Sequence, residues 1–193
     1  MNESRKGAQQ ADRVAAFTGH MVDIPERKTS RFPVSKVPTV GREIATRIRE
    51  LNIRYGLSSA ARGADILFIE ELLNQGGMEH VYLPFPRDAF AGTSVGYGWD
   101  QRYGRILQDP RVRVVELANA LPPPEQQATA YDQCNIRIQE ETLRIAHARR
   151  AEPVLLAVWN GNPGDDRGGT ADAIKSWQHH GHRLEVINLA DLK

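Results

Sequence analysis

Apolar positions along this chain follow two alternating rhythms. Val14-Ala-Ala-Phe17 and Pro153-Val-Leu-Leu-Ala-Val-Trp159 are short, nearly unbroken apolar runs, as in strands covered on both faces. Ile44, Ile48 and Leu51 recur instead at helical spacing and predict a helix from about Thr39 to Asn52. A short strand and a small-residue turn then lead into a second helix, which runs to Asn74 and is stopped by Gln75-Gly76-Gly77. Glu79-His-Val-Tyr-Leu83 reads as the next strand, ended by Pro84-Phe-Pro86. A loop and a helix from about Trp99 to Leu107 precede a strand over Arg111–Leu117. Glu125 to Arg150 is the longest helical stretch, Thr170 to His180 the last helix, and Leu184 to Leu189 the closing strand.

Strands alternating with helices imply parallel pairing through right-handed crossovers. The expected fold is α/β: a Rossmann-like, doubly wound sheet of five or six mainly parallel strands, with helices on both faces. Residues 1–12 are polar and read as a disordered leader, and residues 13–193 as one domain. The segment from Met21 to Pro38 is longer than a bare connection needs, a property of functional loops.

Three glycine-bearing turns follow apparent strands, at Gly19, at Gly56–Gly63 and at Gly161–Gly169. In a doubly wound sheet these turns share the carboxyl edge, where ligands bind at the switch point. Around the first, Thr18, Gly19 and His20 offer a close backbone approach and two hydrogen-bonding side chains. In the second, the N–H groups of Ser59 to Ala61, with the Ser58 and Ser59 hydroxyls, form a seat for a phosphate, flanked by Gly63 and Asp65. Close packing of a helix on a strand demands the same small residues, and Asp65 suits a helix N-terminus with no further role. At the third, Gly168, Gly169 and Thr170 open a helix, with Asn160, Asp165 and Asp166 on the same loop. Arg87 beside Pro84, and Arg27, Lys28 and Arg31 on the long loop, are further phosphate partners, although each taken singly suits a solvated surface. Tyr97 and Trp99 could stack on a base or simply pin their loop.

Composition narrows these options. The 193 residues carry 25 basic and 24 acidic side chains, a net charge of +1, so no domain-wide basic field argues for nucleic acid. One cysteine, Cys134, excludes an internal disulfide and fits a reducing cytosol. No apolar window reaches membrane-spanning length, and a cytoplasmic location is expected. His179, His180 and His182 lack partners at metal-ligand spacing, so neither a metal nor a cofactor is read from the chain. A Walker loop and a Cys-x-x-Cys pair are both absent.

Phe17-Thr-Gly-His20, Gly56-x-Ser-Ser-Ala-Ala-x-Gly-Ala-Asp65, Leu83-Pro-Phe-Pro86 and Gly168-Gly-Thr170 resemble the SLOG superfamily. That superfamily includes the Lonely Guy phosphoribohydrolases, DNA-processing protein A and molybdenum cofactor carrier proteins. Ala16-Phe-Thr-Gly-His-Met-Val-Asp-Ile-Pro25, Arg31-Phe-Pro33 and Pro163-Gly-Asp165 are similar to a bacterial, signalling-associated SLOG-like group. The resemblance implies nucleotide or nucleotide-derived ligands over the glycine turns, and a homodimer through the long helix. Lonely Guy enzymes place a glutamate three residues after the threonine of their last motif, where this chain has Ala173. The leading expectation is therefore a nucleotide-binding or sensing module, in bacterial signalling or defence. The alternative is an N-glycosidase, of phosphoribohydrolase or deoxyribosyltransferase type, with Asp65, Glu70 and Asp172 as candidate carboxylates. Single-stranded DNA is disfavoured on charge, leaving a nucleotide-like small molecule as the expected partner.

Overall fold

Arg13–Gly19 forms β1, the strand from which the rest of a computed structural model of the chain is organised. The structure describes residues 11–162 and 169–192. β1 pairs in parallel with β2 (Ile53–Ser58) on one side and with β5 (Glu152–Trp159) on the other. β3 (Met78–Leu83) and β4 (Val112–Glu116) extend the sheet beyond β2, and β6 (Arg183–Asn188) extends it beyond β5. The order is β4-β3-β2-β1-β5-β6, with every pairing parallel. This is an α/β, Rossmann-like fold. The chain reverses direction across the sheet between β1 and β5, so the switch point lies there.

Two cores hold the helices to the sheet. On one face α1 (Val37–Glu50), α2 (Ala64–Asn74), α3 (Arg87–Ser94) and α4 (Asp100–Gln108) bury Ile44, Ile48, Phe68, Phe90 and Ile106. On the other, α5 (Pro124–Arg149) and α6 (Thr170–Gln178) bury Cys134, Ile138, Ile174 and Trp177. α2 is apolar almost all round because it lies between the sheet and its neighbours α1 and α4, and Phe68 stacks on Phe17 of β1 at 4.3 Å. The burial of Trp177 leaves His180 and His182 packed against its ring edges.

Two local expectations need correction. Gly56 lies inside β2 and not in the turn that follows it. A methyl group there would meet Glu79, Leu72 and Phe68, so the residue is small because β2, β3 and α2 converge on it. The segment from Arg87 to Ser94, read as loop, is helix α3. Gly92, Thr93 and Ser94 are weak helix formers, and burial of Phe90 against Phe85, Tyr103 and Tyr131 overrides that weakness. Most of the proposed leader lies outside the described residues. Among the described residues no helix is long and apolar enough to cross a membrane.

Candidate functional site

A cavity of about 750 Å3 opens at the carboxyl ends of β1 and β2, beside the start of α6. Its floor is the end of β1, where Thr18, Gly19 and His20 line it. His20 Nε2 lies 2.9 Å from Asn160 Oδ1, a bond that crosses the switch point from β1 to the residue after β5. The same oxygen accepts the Asn162 N–H at 3.0 Å, so the histidine donates from Nε2. Burial lowers the His20 pKa, the Asn160 bond opposes it, and the imidazole is neutral at pH 7.

The turn between β2 and α2 is tied to the chain itself. The Ser59 hydroxyl donates to Asp65 Oδ2 at 2.8 Å, and the Ala61 N–H donates to the same oxygen at 3.2 Å. The Arg62 N–H goes to Ser94 O and the Ala64 N–H to His20 O. The predicted phosphate seat therefore already holds a carboxyl group. Its small residues serve packing: Gly63, at φ 97°, presses on the backbone of Val22 and His20, and a methyl on Gly19 would meet Ala64. Asp65 is buried yet lines the cavity, and desolvation pushes its pKa up to about 6 against those hydrogen bonds.

Positive charge enters from two places. The β1–α1 loop folds over the cavity as a strap and contributes Arg27, Lys28 and Arg31 to its lining. Asp23 pins that strap: it accepts the Ser30 hydroxyl at 2.7 Å and the Arg31 N–H at 3.1 Å, and Arg27 Nε lies 3.4 Å away. The fourth cation, Arg62, is held by the carbonyls of Val22 and Val95, both at 3.3 Å, with the Tyr97 ring 5.1 Å away. No carboxylate partners it among the described residues, and burial lowers its pKa. The lining contributed by α3 and α5 is uncharged. Tyr131 of α5 shares its hydroxyl with Thr93 (2.9 Å) and Ser94 (2.7 Å) of α3, beside Phe90, Gln127 and Asn135.

The structure brings together Thr18, Gly19, His20, Ser59, Asp65, Gly169 and Thr170 around the cavity, with Asn160 bonded to His20. Other candidates lie elsewhere. Ser58 is fully buried and donates to Glu79 Oε1 at 2.8 Å, below the cavity floor. Ala60 and Gly63 shape the turn without lining the cavity, and Pro84 is likewise absent from its walls. Arg87 is paired with Glu116 at 2.7 Å. Glu70 is paired with Arg102, whose guanidinium stacks 4.2 Å over Trp99, and neither Glu70 nor Trp99 lines the cavity. Asp172 is on α6 but does not line the cavity. Gly168, Asp165 and Asp166 lie outside the described residues.

Sequence reading missed Arg62 and the α3–α5 wall. Gln127, Tyr131 and Asn135 recur every four residues on α5, a polar stripe at helical spacing that carried the signal. Arg62 had no such signal, because only the packing of Val22 and Val95 makes it a lining residue.

No family model matches the chain, and no curated protein sequence matches it. Solved structures do. DNA processing protein A from Streptococcus pneumoniae is 16% identical at a TM-score of 0.40, over 95% of this chain and 62% of that one. The chain thus spans less than two thirds of that protein's length. A structure described as showing the unique single-stranded DNA binding mode of DNA processing protein A from Helicobacter pylori is 13% identical at a TM-score of 0.40, over 92% and 76% of the two chains. The Moco carrier protein from Chlamydomonas reinhardtii is 11% identical at a TM-score of 0.36, over 93% and 91%. The single-stranded DNA binding in the second description corrects the expectation that nucleic acid is a disfavoured partner. That expectation rested on net charge, which is blind to placement: four cations of a nearly neutral chain meet at one cavity.

Proposed function

We propose that the chain binds a phosphorylated small molecule of the nucleotide class in this cavity. The observation that carries the reading is that one cavity of about 750 Å3 is lined both by four cations and by uncharged hydroxyl and ring groups. Arg27, Lys28, Arg31 and Arg62 suit a phosphate, and Gly169 and Thr170 add the N-terminus of α6. The hydroxyls and rings of Phe90, Thr93, Ser94 and Tyr131 suit a sugar and a heterocycle. Sensing in bacterial signalling or defence is the role that the motif resemblance suggests for such a site.

Binding is favoured over cleavage because, of the three candidate carboxylates, Asp65 alone lines the cavity. Calorimetric titration with AMP and adenosine tests the reading. AMP is expected to bind more tightly, and Lys28→Ala and Arg62→Gln are each expected to weaken AMP about tenfold while leaving adenosine unchanged. Equal affinity for the two ligands, or none for either, overturns it. Sustained release of adenine from AMP, lost in Asp65→Asn, would replace it with the N-glycosidase. A short oligothymidylate tested as competitor shows whether a single strand reaches the same cations.

A further inference from the structure

The turn expected to seat the phosphate is closed by a carboxyl group of the chain itself. Asp65 Oδ2 takes the Ser59 hydroxyl at 2.8 Å and the Ala61 N–H at 3.2 Å, so these two donors are spent. A phosphate brought to the turn would meet a second acid and few donors. Asp65 nevertheless lines the cavity while only 5% exposed. An acceptor in that position suits a ligand group rich in O–H donors and carrying no charge of its own.

We propose that Asp65 reads the sugar hydroxyls of the ligand, so that the cavity selects nucleotides with an intact vicinal diol and leaves the phosphate to the strap cations and Arg62. This rests on the nucleotide reading above. Ser59 and Ala61 act as positioning groups, holding Oδ2 and fixing the plane of the carboxyl. The proton on Asp65 then matters, because a carboxylate accepts from a hydroxyl more strongly than a carboxylic acid does. With its pKa near 6, Asp65 changes state close to neutrality. The charged and titratable groups around it are His20 beyond β1, Glu79 of β3, Cys134 of α5 and Arg62 of its own turn, with the strap cations lining the same cavity.

The test compares AMP with 2′,3′-dideoxyadenosine 5′-monophosphate by titration calorimetry between pH 5 and pH 8. Taking the ratio of the two affinities cancels the titration of the phosphate and of the strap. The wild type is expected to prefer AMP about tenfold at pH 7.5, with the preference shrinking to about twofold at pH 5. Asp65→Asn is expected to flatten this ratio at all pH values. Ser59→Ala removes a bond that favours the carboxylate, and is expected to move the midpoint of the ratio to higher pH. Melting curves confirm that each variant is folded, and Ser59→Ala keeps the test decisive if Asp65→Asn is not. Equal affinity for the two ligands, a preference independent of pH, or one that survives Asp65→Asn overturns the assignment while the nucleotide reading stands. Absence of binding by either ligand overturns both.

Discussion

Glu79 shows at the scale of one residue how the core treats charge. It is fully buried, one oxygen takes the Ser58 hydroxyl at 2.8 Å, and Oε2 has no partner among the described residues. Desolvation raises its pKa well above the ordinary value, with the nearby Asp65 adding to the rise, so the fold favours the protonated acid there. The folded state keeps this proton where the unfolded state loses it. Stability therefore falls as pH rises above the ordinary carboxylate range, by up to about 1.4 kcal/mol per pH unit. Glu79→Gln removes that dependence, and urea unfolding at pH 5, 6.5 and 8 is expected to show its advantage over wild type growing with pH. A constant difference would mean that Glu79 is ionised in the fold. Gly56→Ala pushes a methyl group against Glu79, Leu72 and Phe68, and a loss of about 1–3 kcal/mol is expected in the same assay.

Among the elements, the strap depends most on a single side chain. Its base is closed by the Asp23 N–H to Phe32 O at 2.8 Å, and its cations are arranged by the Asp23 carboxylate. Buried Val22 and Phe32 anchor it on either side of the exposed span. Asp23→Ala is expected to leave the anchors in place and free the span between them. Trypsin cleavage after Arg27, Lys28 or Arg31 should accelerate several-fold, with global stability falling by only about 1 kcal/mol. Unchanged cleavage would show that the apolar anchors alone hold the strap. α1 needs no such pin, since Ile44 and Ile48 seat it, and their spacing made it legible in the sequence. α3 was not legible, because its helix rests on contacts of Phe90 with residues distant in the chain.

For the whole molecule, strand order decides where chemistry can occur. The reversal between β1 and β5 leaves a crevice spanned by His20 and Asn160, residues 140 positions apart in sequence. The bond from Asn160 raises the His20 pKa against the effect of burial. Asn160→Ala is therefore expected to lower that pKa further, read by NMR titration of the imidazole, and to cost about 1 kcal/mol. An unchanged pKa would mean that the carboxyl ends of β1 and β5 are not coupled through this pair.

The sequence by itself determined the alternation of strands and helices, the parallel sheet and the carboxyl edge where the cavity opens, because apolar period and glycine punctuation are local properties. Tertiary structure decided what those glycines are for. Gly19, Gly56 and Gly63 admit the chain's own backbone and side chains, and Asp65 occupies the seat that their spacing suggested for an anion. It also decided the charge of the cavity. A balanced composition states only a sum, whereas folding brings Arg62 beside the strap and turns Glu70 toward Arg102. The contacts of these glycines and the charge of the cavity are set by residues far apart in the chain, which no local pattern encodes.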